Sequence, residues 1–157
     1  MKGRTYRYSE KEPLFPFGFG LSYTSFEYSD LKMDKSARTS AESITVEFDV
    51  TNTGECVSDE VVEIYVSPTD PSQDYQPVRL QGFGRISLNP GETKHLTFLM
   101  SPQQFGHYDN GQWAVEPGDF LVKVGASSAD IRLQDKVSLT GRKHTMPLRT
   151  VYFSEMQ

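Results

Sequence analysis

Apolar and polar positions alternate with a period of two over most of this chain. Ile44, Val46, Phe48 and Val50 interleave with Thr45, Glu47, Asp49 and Thr51, the signature of a strand with one buried face. Val62, Ile64 and Val66 alternate with Glu63 and Tyr65, and Ser67-Pro68 ends that run. Leu96, Phe98 and Met100 repeat the pattern, as do Phe120, Val122 and Val124. Leu80 to Leu88, Trp113 with Val115, and Ile131 to Leu139 complete the apolar runs. Between them stand Asn52-Thr53-Gly54-Glu55, Asn89-Pro90-Gly91 and Glu116-Pro117-Gly118, all of turn composition. Ser101-Pro102-Gln103-Gln104 offers an N-cap and a first-turn proline, which predicts one short helical turn. Residues 68–77 hold three prolines and two aspartates and read as a long exposed loop. No stretch has the period of an amphipathic helix. The expected fold is all-β: an antiparallel two-sheet sandwich.

The first 23 residues break the pattern. Pro13-Leu14-Phe15-Pro16-Phe17-Gly18-Phe19-Gly20-Leu21 is apolar and aromatic, yet its prolines and glycines oppose any regular strand or helix. We read residues 1–23 as an arm, 24–140 as the sandwich, and 141–157 as a C-terminal extension, either an extra edge strand or a docking tail.

Composition narrows the class. With 157 residues the chain can bury roughly 70% of its unfolded surface and needs no staple. One cysteine, Cys56, excludes an internal disulfide framework and a multi-cysteine zinc site. Residues 1–15 lack the apolar stretch of a signal peptide, and no run is long enough for a membrane span. The net charge of −5 disfavours nucleic acid as a partner. The basic residues gather at the two ends and the acidic ones in the body. Solvation of those ends is the plainer reading, docking on another surface the sharper one.

Candidate chemistry is sparse. Asp59 and Glu60 are adjacent carboxylates, but neighbours on a strand point to opposite faces. His95, His107 and His144 show no metal-ligand spacing. His107 beside Asp109 reads as a turn-rich connection rather than an oriented base, and Ser127-Ser128 lacks a nucleophile elbow. Cys56 sits beside Glu55 and Asp59, which oppose thiolate formation. No catalytic, cofactor-binding or metal-ligating residue is expected, and no cofactor. A glycan platform is the rival functional reading, built from Tyr75, Tyr108 and Trp113 in or beside expected loops.

Several motifs, taken in order, resemble one family. Gly3-Arg4-Thr5-Tyr6-Arg7-Tyr8 and Pro13-Leu14-Phe15-Pro16-Phe17-Gly18-Phe19-Gly20-Leu21-Ser22-Tyr23-Thr24 are similar to the junction that precedes the C-terminal domain of family 3 glycoside hydrolases, which include β-glucosidases and β-xylosidases. Asp59-Glu60-Val61-Val62-Glu63-Ile64-Tyr65-Val66, Leu80-Gln81-Gly82-Phe83, Leu88-Asn89-Pro90-Gly91-Glu92-Thr93 and Val115-Glu116-Pro117-Gly118-Asp119-Phe120 resemble that family's fibronectin type III-like domain in the same order. The resemblance implies a non-catalytic module beside a barrel and an α/β domain, which in the family carry the nucleophile and the acid/base. Retaining hydrolysis needs two carboxyl groups about 5 Å apart, and none of the nucleophile motif is present. It further implies that Tyr6, Tyr8, Phe15, Pro16, Phe17, Gly18, Phe19, Gly20, Leu21 and Tyr23 dock on those catalytic domains, in cis or in trans. Family enzymes are often periplasmic or secreted; the sequence leaves the compartment, the sugar specificity and the oligomeric state open. One departure is Phe120, standing where such folds often place a corner tyrosine.

Overall fold

The alternating runs become strands whose apolar sides face one another across a sandwich. The computed structural model describes residues 13–40, 42–70 and 78–157. In chain order the strands are β1 (Phe26–Met33), β2 (Ser36–Arg38), β3 (Ile44–Asn52), β4 (Ser58–Pro68), β5 (Arg79–Leu88), β6 (Thr93–Met100), β7 (His107–Asp109), β8 (Gln112–Val115), β9 (Gly118–Gly125), β10 (Ile131–Thr140) and β11 (His144–Met146). One sheet has the order β1-β3-β6, the other β2-β10-β9-β4-β5, and β11-β8-β7 form a small third sheet. All pairings are antiparallel except β2 with β10.

β1 was not legible as a strand because its alternation slips. Phe26 and Tyr28 point toward the core, then Asp30 adopts φ 55° and the register shifts between Ser29 and Lys32. That bulge moves the inward phase onto Leu31 and Met33, both packed on the core. The chain then changes sheets in two residues. Asp34 N–H bonds Thr45 O at 3.2 Å on one side, and Ser138 N–H bonds Lys35 O at 2.9 Å on the other.

The interior is filled by β-branched and aromatic side chains from both sheets. Val46, Phe48, Val50, Val62, Ile64, Val66, Phe98, Val122 and Val124 are fully buried. Phe48 lies nearly parallel to Phe98 with centroids 6.0 Å apart, and to Tyr28 at 6.2 Å. The expected helical turn is a 3-10 segment, Pro102–Phe105, capped by Ser101 and Gln104 in a reciprocal box. It delivers Phe105 onto Phe120, edge to face at 5.3 Å. Phe120 therefore fills the corner by ring packing.

The C-terminal extension first adds β11 to β8, then runs across the open side of the sandwich. Ser154 bridges Gly82 of β5 and Met156 bridges Phe98 of β6, so residues 149–157 span the edges of both sheets. Two inward glycines make room. A Cβ on Gly84 would stand 2.5 Å from the Met156 sulfur, and one on Gly82 3.3 Å from the Ser154 Cβ.

Candidate interdomain docking arm

Within residues 13–25, proline and glycine replace regular pairing by discrete anchors. Phe19 N–H bonds Pro16 O at 3.1 Å, closing a turn whose third residue, Gly18, has φ +80°, a conformation that favours glycine. Ser128 N–H donates to Phe17 O at 2.9 Å. Further along, Thr24 Oγ1 donates to Asn52 Oδ1 at 2.6 Å, and Ser25 and Thr53 hydroxyls meet at 2.9 Å. The backbone and the hydroxyl side chains are thus tied to the sandwich while the large apolar side chains are not. Leu14, Phe15, Phe17, Phe19, Leu21 and Tyr23 are 95%, 70%, 65%, 49%, 91% and 98% exposed. Phe15 and Phe19 pack on each other at 5.3 Å, and Pro16 is half-buried. Tyr6 and Tyr8 lie outside the described residues.

The turn rests on an unexpected group. Val62, Ile64 and Val66 face the core, so Glu63 and Tyr65 lie on the outer side of the five-stranded sheet, yet both are buried. Tyr65 OH donates to Glu63 Oε2 at 2.5 Å. A Cβ on Gly18 would overlap both Glu63 carboxylate oxygens and lie 2.8 Å from its Cδ. Burial pushes the Glu63 carboxyl above its ordinary range, the Tyr65 bond offsetting this in part. The sequence held no signal for this, since Glu63 looked like any outward polar residue of β4.

The sign of the pH effect follows. A carboxyl whose folded value is raised holds its proton more tightly when folded, so it favours folding most at low pH. That contribution is lost as pH rises from the ordinary glutamate value through the raised one. Glu63→Gln removes this slope. The stability of the variant relative to the parent chain is expected to increase as pH rises above the ordinary glutamate range, read by urea unfolding. A difference independent of pH would show that Glu63 titrates normally.

The other candidate residues are not brought together. Asp59 pairs with Arg85 at 2.6 Å on the outer face, while Glu60 accepts the Tyr28 hydroxyl at 2.8 Å, so the adjacent carboxylates do point apart. Asp109 is held by Lys143 at 2.5 Å, and that contact lowers its pKa. Ser127 Oγ accepts Asp130 N–H at 3.0 Å in a turn. Cys56 is exposed. Of the three rings read as a glycan platform, Trp113 is turned inward. Trp113 is only 7% exposed, its Nε1 donates to Gln103 O at 2.9 Å, and Arg149 lies over its ring at 5.2 Å. Tyr108 is exposed, set edge-on to Trp113 at 5.7 Å, and Tyr75 lies outside the described residues. Among the described residues no group of three His, Cys, Asp or Glu could hold a metal ion.

The fold and its aromatic arm define a class. Residues 60–128 match the fibronectin type III-like domain family, and the chain is a fibronectin type III-like domain of glycoside hydrolase family 3. It is 42% identical over 137 residues to thermostable β-glucosidase B of Acetivibrio thermocellus, covering 84% of this chain and 18% of that protein. It is 45% identical over 136 residues to a β-xylosidase of Formosa agariphila, covering 86% and 19%. β-Glucosidase 3B of Thermotoga neapolitana, solved with glucose, superposes with TM-score 0.80 at 33% identity, over 89% of this chain and 19% of that one. The chain thus spans under one fifth of the length of these relatives.

Proposed function

We propose that this chain is a non-catalytic accessory module of a retaining family 3 β-glycosidase, and that residues 13–23 pack on the catalytic domains and stabilise them. The observation that carries this is the contrast between a closed core and an exposed arm. The sandwich buries most of its own aromatics, Phe83 and Tyr108 excepted, whereas three phenylalanines, two leucines and a tyrosine of the arm remain in solvent on an anchored backbone. Burial of such rings contributes about 1.5–3 kcal/mol each, enough for the arm to hold two domains together.

A chimera tests this reading: this chain replaces the matching 18% of the Acetivibrio thermocellus β-glucosidase. Phe15, Phe17 and Phe19 changed together to Ser are expected to lower the temperature of activity loss by at least about 5 °C. The melting of the isolated chain should barely move. Unchanged inactivation of the chimera would end the docking role. The isolated chain is expected not to hydrolyse aryl β-glucosides, and substrate turnover in that assay would overturn the non-catalytic assignment.

A further inference from the structure

The arm's turn is seated on the sheet at a single point. Gly18 lies flat against the Glu63 carboxylate, the Phe17 carbonyl one residue before it receives Ser128 N–H, and Phe19 N–H closes the turn one residue after. Beneath them Tyr65 holds the carboxylate in place. No cation among the described residues lies within ion-pair distance of Glu63. Its side chain, 5% exposed on the outer face of β4, is covered by the turn. A polar side chain on the outside of a sheet would ordinarily be solvated. The backbone of Gly18 lies against it, and any Cβ at position 18 would displace it.

We propose that Glu63 is the positioning residue of the aromatic arm: the Glu63–Tyr65 pair seats Gly18, fixes the Pro16–Phe19 turn on the sheet, and presents Phe15, Phe17 and Phe19 as a preformed ridge. The use of that ridge rests on the docking role above, whereas the seat belongs to the isolated chain. Preorganisation matters because a ridge already ordered does not lose its conformational freedom on docking, as a free tether would. The seat also couples the arm to β4, the strand paired with both β5 and β9, so strand and arm move together.

Amide hydrogen exchange of the isolated chain reads the seat directly. The Phe19 and Ser128 amides are expected to exchange at least about tenfold slower than in an unstructured peptide. Gly18→Ala should bring both toward the unstructured rate while amides at the centres of β4 and β9 stay protected. Glu63→Gln retains an oxygen to accept from Tyr65 and should preserve the protection; Glu63→Ala should lose it. Positive φ disfavours Ala at position 18 whatever lies beneath it, so the decisive comparison uses two backgrounds. If the carboxylate is the obstacle, Gly18→Ala in a Glu63→Ser chain lowers the urea midpoint by less than half as much as it does in the parent. Equal shifts in both backgrounds, or unstructured rates at Ser128 in the parent, would overturn the proposal. Neither result depends on a catalytic domain, so a failed seat and a failed docking role are told apart by exchange on one side and by the chimera on the other.

Discussion

A chain that ends at Met146 is expected to melt about 6–12 °C below the full chain. The missing segment is a strap between the two sheets. Ser154 N–H donates to Gln81 O at 2.7 Å on β5, and Gln157 N–H to Thr97 O at 2.9 Å on β6. Arg149 Nη2 donates to the Gln81 side-chain oxygen at 2.7 Å, and its guanidinium stacks between Trp113 and Tyr152. Met156 packs on the core cluster beside Gly84, and Phe153 meets Phe83 edge to face at 5.6 Å. Truncation exposes that part of the interior and leaves two strand edges unpaired. The freedom returned to the released residues offsets only part of the loss. A net cost of about 3 kcal/mol is a large share of a total near 5–15 kcal/mol, and at about 2–4 °C per kcal/mol it gives the stated shift. Thermal unfolding by circular dichroism measures it. Melting within about 2 °C of the full chain would mean that the strap is ornamental. Open edges at β5 and β6 should also promote self-association at high concentration.

How far such features could be read from sequence depends on whether they leave a periodic trace. β3, β6 and β9 alternate without interruption, so their strands and inward sides were plain from Val46, Phe98 and Val122. β1 was hidden by the bulge at Asp30, and β2, β7 and β11, at three residues each, are too short to show a period. The strap was visible as an apolar extension but not as a seam, because its partners are two glycines and a buried glutamine some seventy residues earlier. The arm stood out as an irregular aromatic segment, and the exposure of its rings accords with that reading. Its seat did not stand out, because Gly18 meets Glu63 only through space. Trp113 misled in the opposite direction: a lone tryptophan near a turn suggested a sugar platform, whereas its ring lies under Arg149.

Gln104→Ala is expected to cost about 3 kcal/mol, far above the usual effect of trimming a polar side chain. Gln104 is wholly buried and joins three segments. Its Oε1 accepts Ser101 N–H at 2.8 Å and the Ser154 hydroxyl at 2.9 Å, while its Nε2 donates to Gln81 O at 2.6 Å. Gln81 is the extra residue of the bulge where β4 and β5 change register, so one side chain ties the bulge, the helical cap and the strap. Alanine leaves the Ser101 amide and the Ser154 hydroxyl without their acceptor, at about 1–3 kcal/mol for each buried group, and adds a small cavity. Gln104→Leu restores volume but no acceptor, so most of the loss should remain. The measurement with the greatest power is a double-mutant cycle in urea. In the chain ending at Met146 the Ser154 hydroxyl is already gone and water reaches the site. Gln104→Ala should therefore cost at least about 1 kcal/mol less there than in the full chain. Equal costs in the two backgrounds would show that Gln104 serves the helical cap and the bulge but not the strap, which is then held by its backbone bridges.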